Sequence, residues 1–328
     1  MIDLIKFEKK NVPSYEIATI VEKNRLSNNS EAGKPCYSNR KTKFSKQDEG
    51  VYIDISTAGN LKFECSLHKY YNETIRKIGR YNYDMFTMKQ AKEAINELLE
   101  KKHIKPVSVK VKYYEIGVNL SLSKDCLDYL GEMLDIEKQN GKKVEFTHDP
   151  NYKEKRMRVT NKHRSVRVWY RAYDKFFEML DKKRKGVEFV FTIEGNILRI
   201  ETVYRRVEKH TINTFFSNQN LKRIQKLFFE DWEKLRFEKG VKFPTGTGRA
   251  KKELCRNILR YKENELLSKS KKENKTGELS DKEYRNIREF IKNEWITFKK
   301  NLIYFQSDVE KEYRKELERV KQIIFNEL

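Results

Sequence analysis

The 328-residue sequence lacks the features that would place the chain in a membrane or in a secreted, disulfide-stabilised scaffold. No apolar run approaches the roughly 18 residues that a membrane-spanning helix needs, and the opening MIDLIKFEKK lacks the apolar segment of a signal peptide. Four cysteines lie far apart without any CxxC pair: Cys36, Cys65, Cys126 and Cys255. This spacing indicates neither a zinc site nor a disulfide framework, so we expect a cytoplasmic protein with reduced thiols.

Positive charge is what the sequence has in abundance. It contains 71 Lys and Arg against 49 Asp and Glu, a formal net charge of +22. Residues 1–220 carry 43 basic and 30 acidic side chains, residues 221–328 carry 28 and 19, and the densest stretch, 151–186, holds 13 against 4. A basic balance of this size suits a polyanion, most often nucleic acid, and no long basic amphipathic helix indicates a membrane surface. The alternative is a basic surface that is only solvated.

The first two thirds of the chain alternate between strand-like and helix-like patterns. β-Branched and aromatic residues at period 2 predict strands over 51–56, 61–70, 107–120, 165–174, 186–193 and 197–205. A capping box at Thr87 and Gln90 predicts the start of one helix. We therefore predict an α+β domain over residues 1–212, with antiparallel sheets and packed helices.

Other segments of this domain carry weaker patterns. Ser123 precedes an apolar stripe that predicts a second helix, which ends near Asn140. Residues 24–49 and 145–164 are predicted to be loops.

After residue 212 the pattern becomes helical. A stripe from Leu221 to Leu235 predicts one helix, and a polar segment, 268–280, predicts a linker. The other predicted helices cover 250–267, 281–302 after a capping box at Ser280 and Glu283, and 306–327. We therefore predict a helical C-terminal region over residues 213–328.

Strand alternation indicates which polar side chains share a face of the sheet. If the predicted strands form one sheet, its polar face carries a Tyr, two Glu, a His and a Lys: Tyr173, Glu115, Glu201, His68 and Lys175. Carboxylates and an imidazole can hold Mg²⁺ or Mn²⁺, which polarise a phosphodiester, and a Tyr hydroxyl beside them could be a nucleophile. The alternative interpretation is a solvated sheet face, with His68 an ordinary surface histidine and Trp169 a core residue.

Four segments of the sequence occur in a recognisable order: SLHKYYN (66–72), YYEIGVNL (113–120), RAYDKFFE (171–178) and ILRIETVYRR (197–206). They resemble the replication initiators of phages and plasmids that are related to the gene II protein of filamentous phages. Together they are most similar to the Bacteroidetes-type replication proteins of that II/X group. The resemblance spans residues 1–210 and implies a Rep-like, HUH-type nickase domain.

This resemblance implies a function and a mechanism. Such initiators start rolling-circle replication by nicking one strand of an origin through a tyrosine that stays bound to the 5′ phosphate, and they later rejoin the strand. The resemblance implies Tyr173 as the nucleophile, aided by Lys175, and Mg²⁺ or Mn²⁺ held by Glu115, Glu201 and His68. Origin DNA is then the partner, with a host helicase and polymerase as further partners.

The basic residues near these motifs are the expected DNA contacts. They are Lys69, Arg164, Arg167, Arg171, Arg199 and Arg205, together with the aromatic Trp169. The sequence departs from the family pattern where Tyr113-Tyr114 precede Glu115, and no His-apolar-His pair is present.

Two other classes stay open at this point. A DNA-binding replication or copy-control protein without cleavage activity would bind origin DNA and form no covalent adduct. An RNA-binding module on an antiparallel sheet would prefer single-stranded RNA, although no RNP-type run is present.

Overall fold

The computed structural model describes residues 1–29, 36–39, 50–137, 142–150, 153–160, 165–184, 195–207 and 209–327. Two compact units are present. One comprises Met1–Leu235 and Glu312–Leu328, and the other comprises Arg236–Lys311. The predicted boundary between residues 212 and 213 stays a prediction.

The described residues contain fifteen strands. In chain order they are β1 (Ile2–Lys9), β2 (Ser27–Asn28), β3 (Tyr37–Ser38), β4 (Val51–Ile55), β5 (Leu61–Ser66), β6 (Lys110–Leu122), β7 (Met133–Glu137), β8 (Lys143–Glu145), β9 (Thr147–His148), β10 (Met157–Val159), β11 (Val168–Asp174), β12 (Asn196–Arg205), β13 (Leu235–Phe237), β14 (Gly240–Lys242) and β15 (Ile303–Phe305). The predicted strand 186–193 lies outside the described residues.

The described residues also contain twelve α-helices. They are α1 (Ser14–Lys23), α2 (Leu67–Tyr70), α3 (Met88–Lys101), α4 (Cys126–Glu132), α5 (Lys175–Arg184), α6 (Ile212–Phe215), α7 (Asn218–Glu233), α8 (Arg249–Tyr261), α9 (Glu263–Lys275), α10 (Asp281–Glu289), α11 (Trp295–Lys300) and α12 (Asp308–Phe325). A π-helical segment continues α2 over Tyr71–Ile75, and another joins α10 to α11 over Phe290–Glu294. No helix in the described ranges is both long and apolar enough to cross a membrane.

One ten-stranded sheet organises the first unit. Its strand order is β2-β3-β4-β5-β1-β6-β12-β11-β10-β9, and every described pairing is antiparallel. The predicted α+β class with an antiparallel sheet is therefore confirmed. The first strand of the chain lies in the middle of the sheet, between β5 and β6.

The two faces of this sheet differ in what covers them. On one face, the Trp232 indole of α7 donates to Thr202 Oγ1 at 3.1 Å, and the Tyr170 hydroxyl donates to Asp231 at 2.6 Å. On the same face, Tyr114 stacks on Tyr204, with ring centroids 4.5 Å apart. This apolar face is the core side, so the alternate residues of β6, β11 and β12 point to the opposite face.

The predicted strand 61–70 is wrong in its second half. The strand ends at Ser66, whose hydroxyl accepts a hydrogen bond from the backbone N–H of Lys69 and caps α2. His68 and Lys69 therefore lie on a helix and do not alternate along a strand.

Other segment predictions near the sheet also need correction. The second predicted helix begins at Cys126, because Asp125, and not Ser123, caps it, and it ends at Glu132 where β7 begins. The predicted loops 24–49 and 145–164 contain short strands of two or three residues at the edges of the large sheet.

Helices dominate the second unit, as predicted, but their bounds differ. The capping box at Ser280 and Glu283 is present and starts α10. The predicted linker 268–280 is wrong over most of its length, since α9 extends to Lys275. This unit has its own hydrophobic core, which is formed by the buried residues Cys255, Ile258, Leu266, Phe290, Ile291, Trp295 and Leu302.

Candidate active site

The candidate site lies on the polar face of β6, β12 and β11. Cross-strand register places Arg171 opposite Glu201 and Glu201 opposite Gly117. Two residues further along the same pair of strands, Tyr173 lies opposite Arg199. Directly opposed residues of an antiparallel pair point to the same face, so the register itself brings these side chains together.

Glu201 is the centre of this group, and its side chain is only 1% exposed. Its carboxylate accepts hydrogen bonds from Nε of Arg171 and from Nε of Arg199. The Tyr173 hydroxyl donates to the same carboxylate at 3.2 Å. Burial alone would raise the pKa of Glu201, but the two guanidinium groups outweigh it and lower the pKa below its usual range.

Glu115 is the second carboxylate of the network. It accepts a 2.6 Å hydrogen bond from Nη2 of Arg171 and another from the Tyr113 hydroxyl. Arg171 therefore bridges Glu115 and Glu201. Burial raises the pKa of Glu115, and nearby Glu201 raises it further, although Arg171 opposes both effects.

Asp3 is a third carboxylate that sequence reasoning missed. It accepts a 2.7 Å hydrogen bond from Nη2 of Arg199, and it also accepts from Ser66 and from Asn82 at 2.5 Å. The sequence carried a signal for this residue, because Asp3 is an acidic residue within the otherwise apolar start of β1. Burial would raise the pKa of Asp3, but Arg199 and its other partners hold it well below the usual range.

Tyr173 is brought into the group by β11, but it is buried, with 5% of its surface exposed. Arg171 and Lys175 each lie 5.8 Å from the centre of its ring. Burial, together with the charge of Glu201, raises the pKa of the Tyr173 hydroxyl well above its usual value. The hydroxyl is therefore protonated at neutral pH, and its proton is hydrogen-bonded to a carboxylate of lowered pKa.

Gly117 makes room for the Glu201 side chain. A Cβ at this position would lie 2.5 Å from Cγ of Glu201 and 2.8 Å from the Ile200 carbonyl oxygen. Both distances are far shorter than real contacts, so residue 117 must be glycine for Glu201 to lie across the strand.

Lys175 does not lie on the strand face that the alternation along residues 167–175 predicts for it. It is the first residue of α5, because the Asp174 carboxylate accepts from the Phe177 N–H and turns the chain into a helix. Its buried Nζ lies 2.9 Å from a carboxylate oxygen of Glu178. The lysine thus stays near the Tyr173 ring, but from a helix.

His68 lies beside the network without joining its carboxylates. Its Nε2 lies 2.7 Å from Asp84 Oδ1, and its ring stacks on Phe86 at 4.4 Å. Burial lowers the pKa of His68 to about 4, although the hydrogen bond to Asp84 opposes this. A cavity of about 220 Å³ runs between His68 and Arg199 and is also lined by Tyr83, Asp84, Phe86 and Asn119.

The predicted DNA contacts lie at different depths. Arg171 is 22% exposed, whereas Arg199 is buried within the network. Trp169 is buried against Val159 and Val203, and the Arg205 guanidinium lies 5.3 Å from its ring centre. The others are Arg167, which is exposed just before β11, Lys69, which is half-buried on α2, and Arg164, which lies outside the described residues.

The expected divalent metal was tested against these contacts. Mg²⁺ and Mn²⁺ need carboxylate oxygens that are free to coordinate them. Every carboxylate oxygen of Glu115 and Glu201 already accepts from an arginine or a tyrosine. Across the part of the chain that the structure describes, no three His, Cys, Asp or Glu side chains group as metal ligands. The hydrogen-bonded carboxylates of Glu115 and Glu201 therefore do not fit Mg²⁺ or Mn²⁺ in this arrangement. The requirement for a divalent metal stays a prediction from the sequence.

Comparisons with known protein families and with curated proteins find no match to this chain. Among solved structures, the chain is similar to a rolling circle replication initiator protein from Geobacillus stearothermophilus, with 11% sequence identity and a TM-score of 0.36. The match covers 77% of this chain and 89% of that chain. At so low a TM-score, the function of this chain has to be argued from its own residues.

Proposed function

We propose that this chain is a replication initiator that nicks and rejoins one strand of origin DNA through a phosphotyrosine at Tyr173. One observation carries the proposal. The Tyr173 hydroxyl donates to Glu201, a buried carboxylate held between Arg171 and Arg199. A tyrosine, a proton acceptor and cations on one sheet face are the parts that strand transfer to a tyrosine requires.

The proposed reaction begins when Tyr173 Oη attacks the scissile phosphorus and its proton passes to Glu201. The bond from phosphorus to the 3′ oxygen breaks, and the 3′ oxygen takes a proton from solvent. The DNA is then joined to the enzyme through its 5′ phosphate. Attack by a 3′ hydroxyl reverses the reaction and rejoins the strand. Because the hydroxyl is buried, the side chains that cover it must move aside before a phosphate reaches it, so that its hydrogen bond to Glu201 is kept.

The positive charge that contacts the DNA phosphate has to come from the arginines and from the surrounding basic surface. The network contains three carboxylates, Asp3, Glu115 and Glu201, against two guanidinium groups, so it has no surplus of positive charge. Arg171 is the partly exposed cation and is the group that we assign to the phosphate. The mechanism takes no step through a metal.

The test is a covalent-adduct assay. Purified protein is incubated with supercoiled DNA of its own replicon, with and without Mn²⁺, and the products are separated on denaturing gels. Wild-type protein should form a 5′-linked adduct, and Tyr173→Phe should form none while binding DNA as before. Tyr113→Phe is the matched control, because it also removes a hydroxyl that donates to a network carboxylate, and it should keep the adduct. A Tyr173→Phe protein that still nicks would disprove the assignment.

The burial of Tyr173 favours a second candidate, a DNA-binding replication or copy-control protein without cleavage activity. In that case the ion network on the sheet face is purely structural. Binding without any adduct, on supercoiled and single-stranded DNA and with several metals, would support this candidate over the first.

A further inference from the structure

The other unit carries an apolar surface on the two-stranded ribbon that β14 and β15 form. The strands pair antiparallel, and no third strand joins them among the residues that the structure describes. All three residues of β15 are exposed: Ile303 by 63%, Tyr304 by 38% and Phe305 by 52%. Together with Ile296 they are four of the nine large apolar side chains that are exposed across the described residues. Exposed apolar side chains are ordinarily scattered singly, so three in succession indicate a binding surface.

The two faces of the ribbon differ in what covers them. Val241 packs against the core of this unit, and Tyr304 lies directly opposite it in the ribbon, so both face that core. Successive side chains of a strand point to opposite faces, and those on either side of Tyr304 therefore point away from the core. We call this side the outer ribbon face. Its residues form two cross-strand pairs, Gly240 with Phe305 and Lys242 with Ile303.

The Phe305 ring has a fixed place on the outer ribbon face. A Cβ on Gly240 would lie 2.6 Å from both Cδ2 and Cζ of Phe305, so the ring lies directly over the glycine backbone. Aromatic rings often cover a glycine in this way across a pair of strands. The side of the ring that faces away from Gly240 is left for another planar group. A ring that is already positioned loses little conformational entropy when such a group stacks on it.

Positive charge is concentrated in the two segments that carry this ribbon. Residues 239–252 and 295–307 together hold seven Lys and Arg and no Asp or Glu. The remaining residues of Arg236–Lys311 hold 13 Lys and Arg against 12 Asp and Glu. Nearly all of the net positive charge of this unit therefore belongs to the two segments around the ribbon.

The acidic residues that border these segments are engaged in ion pairs of their own. The pairs are Glu238 with Arg260 at 2.5 Å, Glu253 with Arg256 at 3.9 Å, Glu294 with Lys251 at 2.7 Å and Asp308 with Lys311 at 3.2 Å. Only Lys251 among these cations belongs to the two segments. Lys242 and Lys300 are exposed, and neither forms an ion pair with a carboxylate of the described residues. The surface around the ribbon thus keeps an excess of positive charge.

We propose that the outer ribbon face binds single-stranded DNA, with a base stacked on Phe305 and the phosphate backbone held by nearby cations that include Lys242. The charge favours a polyanion over a second copy of the chain, whose ribbon would carry the same charge. A duplex hides the faces of its bases within its own stack, whereas a single strand offers bases to an exposed ring and phosphates to lysines. This site does not depend on Tyr173 being a nucleophile.

The test measures DNA binding by the full chain, with no cleavage step. A fluorescent oligo(dT) of about 20 nucleotides, an abasic strand of the same length and a duplex of equal length are titrated by anisotropy. The variants are Phe305→Ala, which removes the ring, and Phe305→Tyr, which keeps one. Phe325→Ala is the matched control, because it removes a ring that is 41% exposed in the other unit.

We expect Phe305→Ala to lose at least about fivefold in affinity for oligo(dT), and Phe305→Tyr to keep the wild-type affinity. On the abasic strand, Phe305→Ala and wild type should bind equally, because no base is present to stack on the ring. Phe325→Ala should match wild type on every strand. Thermal unfolding of each variant checks that it is folded at the temperature of the titration.

The contribution of charge is measured from the salt dependence of oligo(dT) binding. A protein with Lys242→Gln and Lys300→Gln should show a slope of log affinity against log salt that is smaller by about 1.4, since each phosphate contact of a single strand contributes roughly 0.7. The control carries Lys271→Gln and Lys272→Gln, which remove two exposed lysines from α9. Its slope should stay at the wild-type value.

Several results would overturn the proposal. Unchanged oligo(dT) binding by Phe305→Ala, or an equal loss on the abasic strand, would show that no base stacks on the ring. A larger loss on the duplex would assign the surface to double-stranded DNA. A wild-type dimer that Phe305→Ala converts to a monomer in light scattering would assign it to a second copy of the chain. Adduct formation at Tyr173 is measured separately, so failure of one proposal leaves the other standing.

Discussion

At the scale of single residues, Gly117 shows how closely the sheet backbone and the network are matched. Gly117→Ala should destabilise the protein by roughly 1–3 kcal/mol, because the new methyl group meets Glu201 and the Ile200 carbonyl at impossible distances. Gly131→Ala is the matched control. Nothing lies within 4 Å of a Cβ there, and alanine favours the helix, so its stability should stay level or rise. Urea unfolding of both variants measures the difference, and equal effects would contradict this account of Gly117.

His68 predicts how stability depends on pH. Its pKa is lowered from 6.5 to about 4, chiefly by burial, while Asp84 and Asp3 act in the opposite direction. As pH falls below about 6.5, His68 binds a proton in the unfolded chain but not in the folded protein. Stability should therefore fall between pH 6.5 and about 4, by on the order of 3 kcal/mol from this residue.

The measurement is the free energy of unfolding in urea at several pH values between 7 and 4. His68→Gln should flatten the decline in this window, whereas His103→Gln, which alters an exposed histidine, should not. If wild type and His68→Gln decline in parallel, His68 does not stay neutral in the folded protein.

The sequence predicts which site residues share a sheet face, but not which of them form ion pairs. Alternation in β6, β11 and β12 correctly grouped Glu115, Tyr173 and Glu201 on one face, because period 2 is intrinsic to a strand. The pattern could not reveal that Arg171 and Arg199 occupy the carboxylate oxygens. Such pairing depends on strand register and on Asp3, which is nearly 200 residues away in sequence from Arg199.

At the scale of elements, the junction of α8 and α9 stores backbone strain. Lys262 has φ of +64° and ψ of 164°, a region that is almost exclusive to glycine. Lys262→Gly should therefore stabilise the second unit by about 1 kcal/mol. Lys262→Ala removes the same charge without relieving the backbone and should give no gain. Thermal unfolding of both proteins tests this, and an equal rise for both would show that charge, and not strain, is the cause.

Local signals decided which elements were predicted correctly. Capping boxes at Thr87 and Ser280 use only residues within one turn, and both are present. The polar segment 268–280 is predicted to be a linker, yet α9 extends to Lys275, because the Lys and Glu residues of 268–275 are good helix formers and Leu266 anchors the helix in the core. The short edge strands were missed because pairing with neighbours creates them, and two or three residues carry no period of their own.

At the scale of the whole molecule, strand order is what assembles the site. β1 lies beside β6, and β12 lies between β6 and β11, so Asp3, Glu115, Glu201 and Arg171 meet across four strands that are distant in sequence. No local pattern encodes this order. The sheet face that carries the network is largely buried, and it is the net charge of +22 that suits a long polyanion, the substrate class of the proposed reaction.

Mass spectrometry can identify the residue of the protein that becomes linked to DNA. The wild-type adduct is digested with nuclease and then with trypsin, and the peptides are analysed by mass spectrometry. Cleavage after Arg171 and Lys175 releases residues 172–175, a peptide in which Tyr173 is the only tyrosine. We expect a nucleotide phosphate on this peptide. A nucleotide on any other peptide, or none on any peptide from a protein that nicks, would contradict it.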